Sequence, residues 1–247
     1  MLDRGCRGYA SVMCGRFAMD KETDELVSEF VAAGNDFHDW RPGYNISPTD
    51  TVPIVVESSR GTDTVTRFIV GARWSLVPSW SKELKLKVPT FNARAETAAS
   101  KPTFKASVAG KRALIPATGY YEWHTVGKTK TPYFVHDPEG GLLAFAGLYS
   151  WWRASRDDEW VLTATILTSD AIGPLRDIHD RTPLTLPRPL WDEWLDPATV
   201  GDQSLVDAAL EAARPVADAL ALHRVGPVTG DGPELMLPIE ERGGSAI

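Results

Sequence analysis

The sequence predicts an α+β fold: a mixed, largely antiparallel sheet that curls on itself into a barrel-like shape, with helices flanking it. Three observations carry this reading. Short β-branched and aromatic runs recur along the middle of the chain, bounded by Gly, Pro or charged turns. Helical periodicity is confined to a stretch near the start and to the last part, so strands do not alternate with crossover helices as a parallel doubly wound sheet requires. A content of 18 Pro, 20 Gly and 9 Trp in 247 residues describes a turn-rich globular chain with one well-filled core.

Taken in order, Asp20 is placed to cap a helix whose Leu26, Val27, Phe30 and Val31 share one face, with Gly34 as its terminator. The run 41–48 holds two prolines and a glycine and must form a shaped loop, in which Asn45 has the most hydrogen-bonding capacity. A turn asparagine bonding its own backbone is the plainer role for it. Runs 51–57 and 64–70, joined around Arg60-Gly61, read as a β-hairpin. In 73–80, Pro78 breaks the strand and presents Trp74 and Trp80 near a turn. Such indoles commonly cover a core, yet one beside a basic stretch can stack on an unpaired base.

In 91–96, Asn92, Arg94 and Glu96 alternate with small or apolar residues and are expected on one face of an extended segment. An amide and a guanidinium fork two residues apart suit a phosphate-bearing ligand. The run 112–123 reads as strand, glycine turn, strand. Glu122, among Tyr120, Tyr121 and Trp123, is a carboxyl in aromatic company, where partial desolvation favours the protonated form and suits proton transfer. Strands follow at 133–136, 142–149 and 160–168. The polar stretch 169–183 then carries His179, whose loop-like setting suits titration better than packing. Helical stretches at 190–195 and 205–222 buttress the fold, and no internal repeat or phosphate-binding glycine loop is present.

No apolar run approaches the roughly eighteen residues a membrane span requires, and residues 1–12 lack the apolar core of an export signal, so a cytoplasmic protein is expected. Cys6 and Cys14, the two cysteines, supply neither a disulfide framework nor a cysteine zinc site. The net charge of -7 is unevenly spread. From residue 187 onward 11 acidic residues face 4 arginines, whereas between Lys82 and Arg112 eight basic residues face two acidic ones. That basic band is what a phosphate backbone needs, and a solvated lysine-bearing surface is the plainer alternative.

Met13-Cys14-Gly15-Arg16-Phe17 takes its meaning from the rest. If the mature chain begins at Cys14, that residue is a 1,2-aminothiol. Its amine can condense with an aldehyde, and its thiol can close onto the same carbon. The strings MCGRFA, YNISPT, WSLVPSW, FNARAET, RALIPATGYYEW, FAGLY, TILTSDA and IHDRTPL occur in the order of one family, and GPELMLP resembles its closing segment. The chain thus resembles the SOS response-associated peptidase (SRAP) family of abasic-site processing proteins. The resemblance runs from Met13 nearly to the end, implying a single SRAP domain over residues 13–247. Residues 1–12 are expected to precede the true start or to be removed.

The resemblance implies covalent capture of abasic sites in single-stranded DNA, in the DNA damage response, by a monomer that acts at the nucleoid. It implies catalytic roles for Cys14, Asn92, Glu122 and His179, and DNA contacts for Arg16, Asn45, Trp74, Arg94 and Arg181. No metal or organic cofactor is implied. Self-release of Met13 and strand cleavage by β-elimination are expected side activities. Thr182 stands where the family often carries methionine, and is expected to be a packing substitution. Two other classes fit the residues less well: a cysteine peptidase or amidase using Cys14, His179 and Glu122, and a noncovalent single-strand binder.

Overall fold

The structure, a computed structural model, describes residues 15–30, 32, 34, 35, 37, 38, 40–58 and 64–239. In chain order these form β1 (Arg16–Met19), α1 (Thr23–Glu29), β2 (Gly34–Asn35), β3 (Gly43–Ile46), β4 (Thr51–Ser58), β5 (Thr66–Trp74), β6 (Asn92–Arg94), α2 (Ala95–Ala98) and α3 (Lys105–Gly110). There follow β7 (Arg112–Ala117), β8 (Gly119–Val126), β9 (Thr129–His136), β10 (Leu143–Trp152), β11 (Val161–Asp170), β12 (Arg181–Pro183), α4 (Trp191–Leu195), α5 (Gln203–Ala219) and β13 (Ala221–Arg224).

The expected hairpin is β4 against β5, paired from Thr51↔Arg73 to Ser58↔Thr66; the Arg60-Gly61 link lies outside the described residues. Antiparallel pairing continues from β4 to β7, from β7 to β10 and from β10 to β11. A parallel contact of β11 with β5, Thr163↔Arg73 and Ala164↔Trp74, closes the ring into a mixed five-stranded barrel. The curled, largely antiparallel α+β architecture read from the sequence is the one observed.

β11 is the spine of the molecule. Its first half lies between β10 and β5; its second half lies between β12 and β6, so that Thr168 pairs with Pro183 on one edge and Arg94 on the other. A second, antiparallel sheet runs β13-β9-β8-β1-β3. Its pleat sorts side chains between two cores. Phe17, Met19, Tyr120 and Val135 join the main core, while Ala18, Tyr121 and Phe134 pack with Val225 and Leu235 of the C-terminal segment in a smaller one. Gly119 permits this close packing, because a Cβ there would overlap Phe134 and the Val135 carbonyl.

The first helix departs from expectation. Glu22, not Asp20, caps it, in a capping box with Glu25. Asp20 instead accepts a 2.6 Å hydrogen bond from the Thr118 hydroxyl, which draws it out of the cap. The helix ends before Gly34, which opens β2, and Val31 lies outside the described residues. Among the described residues no helix is long and apolar enough to cross a membrane.

Candidate functional site

β8 and the end of β11 bring two sequence-distant side chains together. Glu122 on β8 is 3% exposed, and the Trp123 N–H lies 3.3 Å from its Oε1. His179 follows a 3₁₀ turn, Gly173–Asp177, and its Nε2 lies 3.9 Å from Glu122 Oε1. The His179 ring is buried, unlike the solvated loop histidine the sequence suggested, because the 3₁₀ turn and β12 fold it inward. The Arg181 N–H lies 3.1 Å from His179 Nδ1, so Nε2 is the ring nitrogen that faces Glu122. Asp180 Oδ1 is 3.0 Å from the same Nδ1.

One buried hydrogen bond ties the two supporting strands. Tyr120, two residues before Glu122 on the same face of β8, shares a 2.8 Å hydrogen bond with Thr182, three residues after His179. Thr182 is therefore more than the packing substitution its sequence position suggested.

β1 runs antiparallel to β8, with Arg16 opposite Tyr121 and Phe17 opposite Tyr120. One step upstream in that register, Gly15 comes level with Glu122. Cys14 lies outside the described residues, but it is the next residue along the chain. Arg16 Nη1 donates to Asn45 Oδ1 at 2.7 Å, and Asn45 Nδ2 donates to the Gly230 carbonyl at 2.8 Å. Asn45 thus spends both ends of its amide inside the protein, neither on its own backbone nor presented to a ligand.

On β6, Asn92 is half-buried and Arg94 is exposed, with buried Ala93 between them. The alternation read from the sequence stops there, since Glu96 belongs to α2. Its carboxylate turns to Arg181, which also contacts Asp170 at 2.5 Å and the Thr168 carbonyl at 2.6 Å. Burial alone would lower the Arg181 pKa, but the hydrogen bonds to Glu96 and Asp170 outweigh it and hold it above its ordinary value. At 5% exposure and flanked by two carboxylates, Arg181 is a structural strut and not the DNA contact the sequence reading made it.

Trp74 is corrected likewise. It is fully buried, donates from its indole to the Phe91 carbonyl at 2.8 Å and packs edge-on against Phe17 and Phe91. The exposed indole of that segment is Trp80, at 65%. Within the basic band, Lys82, Lys85, Lys87, Arg94, Lys101 and Lys105 are exposed, whereas Arg112 is buried among backbone carbonyls. Among the described residues no group of three or more His, Cys, Asp or Glu is arranged to hold a metal ion.

Comparison with known proteins finds relatives by sequence and by fold. A family model described as SOS response associated peptidase (SRAP) matches residues 13–231. The chain is 34% identical over 187 residues to "Abasic site processing protein YoqW" of Bacillus subtilis (strain 168), covering 75% of this chain and 81% of that one. It is 32% identical over 272 residues to "Abasic site processing protein HMCES" of Gallus gallus, covering 92% and 78%. Among solved structures, a protein from Bacteroides thetaiotaomicron superposes with a TM-score of 0.77 at 20% identity, covering 92% of this chain and 100% of that one, a likeness of fold alone.

Proposed function

The chain belongs to the SOS response associated peptidase family, and on that footing we propose that it senses abasic sites in single-stranded DNA and captures them covalently through Cys14. The observation that supports this most directly is the buried Glu122–His179 pair, 3.9 Å apart, at the level of the residue that follows Cys14. The named relatives are abasic site processing proteins, which points to the same substrate.

The chemistry balances without a cofactor. The ring-opened abasic sugar carries an aldehyde at C1′. An α-amine with a reference pKa of about 8 is neutral in roughly a tenth of molecules near pH 7, and that neutral fraction attacks the carbon. The resulting carbinolamine loses water as the Glu122 carboxyl passes a proton to the leaving hydroxyl, giving a Schiff base. The Cys14 sulfur then adds to the carbon of the protonated imine while the thiol proton returns to the Glu122 carboxylate, closing a thiazolidine. Aldehyde and aminothiol become thiazolidine and water. His179 holds or protonates the sugar oxygen, and Asn92 orients the sugar. The Schiff base also acidifies C2′, so some strands break by β-elimination. Arg16, Arg94 and the exposed lysines hold phosphates, and Trp80 takes the base-stacking role first given to Trp74.

This chemistry needs a free amine on Cys14. The mature chain in this reading starts there, with Met13 removed by the same site or by an aminopeptidase and residues 1–12 absent. It is a monomer acting on DNA in the cytoplasm. The test is to incubate the Met13-start protein with a single-stranded oligonucleotide bearing one abasic site and run a denaturing gel. A shifted band that Cys14→Ala abolishes is expected. No band, or an equal band for Cys14→Ala, overturns the proposal, and cleavage of unrelated peptides would favour a peptidase instead. Intact mass of protein purified from cells is expected to correspond to a chain beginning at Cys14.

A further inference from the structure

His136 on β9 and His223 on β13 form a pair on one face of the antiparallel sheet. His136 is level with Gly119 and His223 with Phe134, so both share the face of Tyr121, while Glu122 projects from the other. A backbone carbonyl anchors each ring at one end. His136 Nδ1 lies 2.8 Å from the Asp137 carbonyl oxygen, and His223 Nε2 lies 2.8 Å from that of Met236. The remaining nitrogens, His136 Nε2 and His223 Nδ1, face each other at 3.2 Å.

A carbonyl oxygen only accepts, so each outer nitrogen carries a proton. In two neutral rings the inner nitrogens then present lone pairs to one another, and their contact is favourable only with a cation between them. An outer N–H bonded to a main-chain carbonyl is also what fixes the tautomer of a metal-ligating imidazole. Two metal–nitrogen bonds of about 2.0–2.1 Å at a tetrahedral angle set their nitrogens about 3.3 Å apart, close to the gap between these two rings. The ring centroids are 5.1 Å apart, less than the same contact would give with both rings and both nitrogens in one line, so the contact is bent. A shared proton favours the straight line, whereas a metal ion takes the bend. We propose that His136 and His223 bind a divalent transition-metal ion of the imidazole-preferring kind, represented by zinc, with water completing its shell. Both residues are half-buried, as a shell shared with water requires. Leu235, the neighbour of Met236, is buried against Tyr121 and Phe134, so the ion would fasten the C-terminal segment onto β9 and β13. This site stands independently of the DNA reading and uses none of the groups assigned to that chemistry.

The test uses the tag-free full chain carrying Cys6→Ser and Cys14→Ser, stripped with a chelator, so that no thiol competes for the metal. Zinc chloride is titrated and followed by calorimetry, thermal melting and ring-nitrogen NMR spectra of the histidines. One zinc ion should bind per chain and raise the melting temperature by several degrees. It should move the signals of His136 Nε2 and His223 Nδ1 more than those of His38, His124 or His179. His136→Gln and His223→Gln should each weaken zinc binding by at least about tenfold and abolish the rise in melting temperature. Unmoved signals for the two facing nitrogens, or a larger movement at another histidine, would overturn the site without requiring any variant to fold. Undiminished zinc affinity in both glutamine variants would overturn it equally. Should zinc leave the melting temperature of the parent unchanged, the facing nitrogens share a proton instead and the metal site falls.

Discussion

Arg94 and Arg112 stand in the same basic band, and the structure predicts opposite phenotypes for their replacement. Arg112 is buried and donates four hydrogen bonds to main-chain carbonyls: Trp194 at 2.7 Å, Val108 at 2.9 Å, Asp196 at 2.5 Å and Thr199 at 2.9 Å. It ties the start of β7 to the ends of α3 and α4. Burial pulls its pKa below the ordinary arginine value, with Asp196 and Tyr149 opposing. Each bond to a charged donor is worth about 1.5–3 kcal/mol, and the cost of burying the cation offsets part of the sum. Arg112→Met leaves those carbonyls without their donor and should cost about 4 kcal/mol, lowering the melting temperature by roughly 10 °C. Arg94 is exposed, so Arg94→Ala should change stability by no more than about 0.5 kcal/mol. Urea denaturation gives the stabilities, and the salt dependence of single-strand binding, taken where both variants are folded, gives the DNA contacts. Arg112→Met should keep the parental slope, whereas Arg94→Ala should flatten it by about 0.7. An Arg112→Met protein within about 1 kcal/mol of the parent would refute the argument, as would a slope that falls like that of Arg94→Ala.

The remaining predictions concern the site and its supports. Thr182→Val breaks the hydrogen bond with Tyr120 and should slow adduct formation while costing about 1 kcal/mol in stability; Thr182→Ser should restore the rate, and equal rates for Val and Ser would count against the bond. Trp74→Ala should destabilise the fold by about 3–5 kcal/mol in urea titrations. Trp80→Ala should leave the fold intact and weaken single-strand binding by about 1–3 kcal/mol in a fluorescence titration, if that indole stacks on a base. Asp202 caps α5, and hydrogen bonds from the Ser204 hydroxyl and the Leu205 N–H hold its pKa below the ordinary 3.8. Its contribution is therefore present above that value and lost as pH falls through the lowered folded pKa. The stability of Asp202→Ala should approach that of the parent in that acid window, as followed by circular dichroism, and a gap that persists there would contradict the assignment.

How far the sequence reads through to the structure depends on whether the deciding contact is local. The β4–β5 hairpin was legible because its β-branched runs are adjacent. Asn92, Glu122 and His179 stood out because their chemistry and immediate neighbours are unusual together. The cap of α1 was misread because Asp20 and Glu22 are both plausible caps, and the contact that draws Asp20 away comes from Thr118, 98 residues along. Trp74 and Trp80 share one motif, yet one is core and the other surface. The choice follows from the Phe91 carbonyl accepting the Trp74 indole N–H, a contact made only when the chain returns to β11. Arg181 read as a phosphate ligand because Glu96 and Asp170 flank it only after β12 and α2 have settled on either edge of β11.

β11 also explains how the candidate site residues can lie so far apart in sequence. Its second half carries β6, with Asn92, on one edge and β12, preceded by His179, on the other, so these two elements are placed by one strand. β8 belongs to the other sheet and delivers Glu122 independently. The Tyr120–Thr182 hydrogen bond is the described link that fixes β8 against β12 beside the pair. β1 pairs with β8 and not with β11, so the chain following Cys14 inherits its register from the strand that carries Glu122. The spacing between the β1 and β8 main chains is thus held by one strand pair, while the spacing between Glu122 and His179 crosses from sheet to barrel. A substitution that loosens the two layers should disturb the second spacing before the first, and proton delivery to the sugar before formation of the initial carbinolamine.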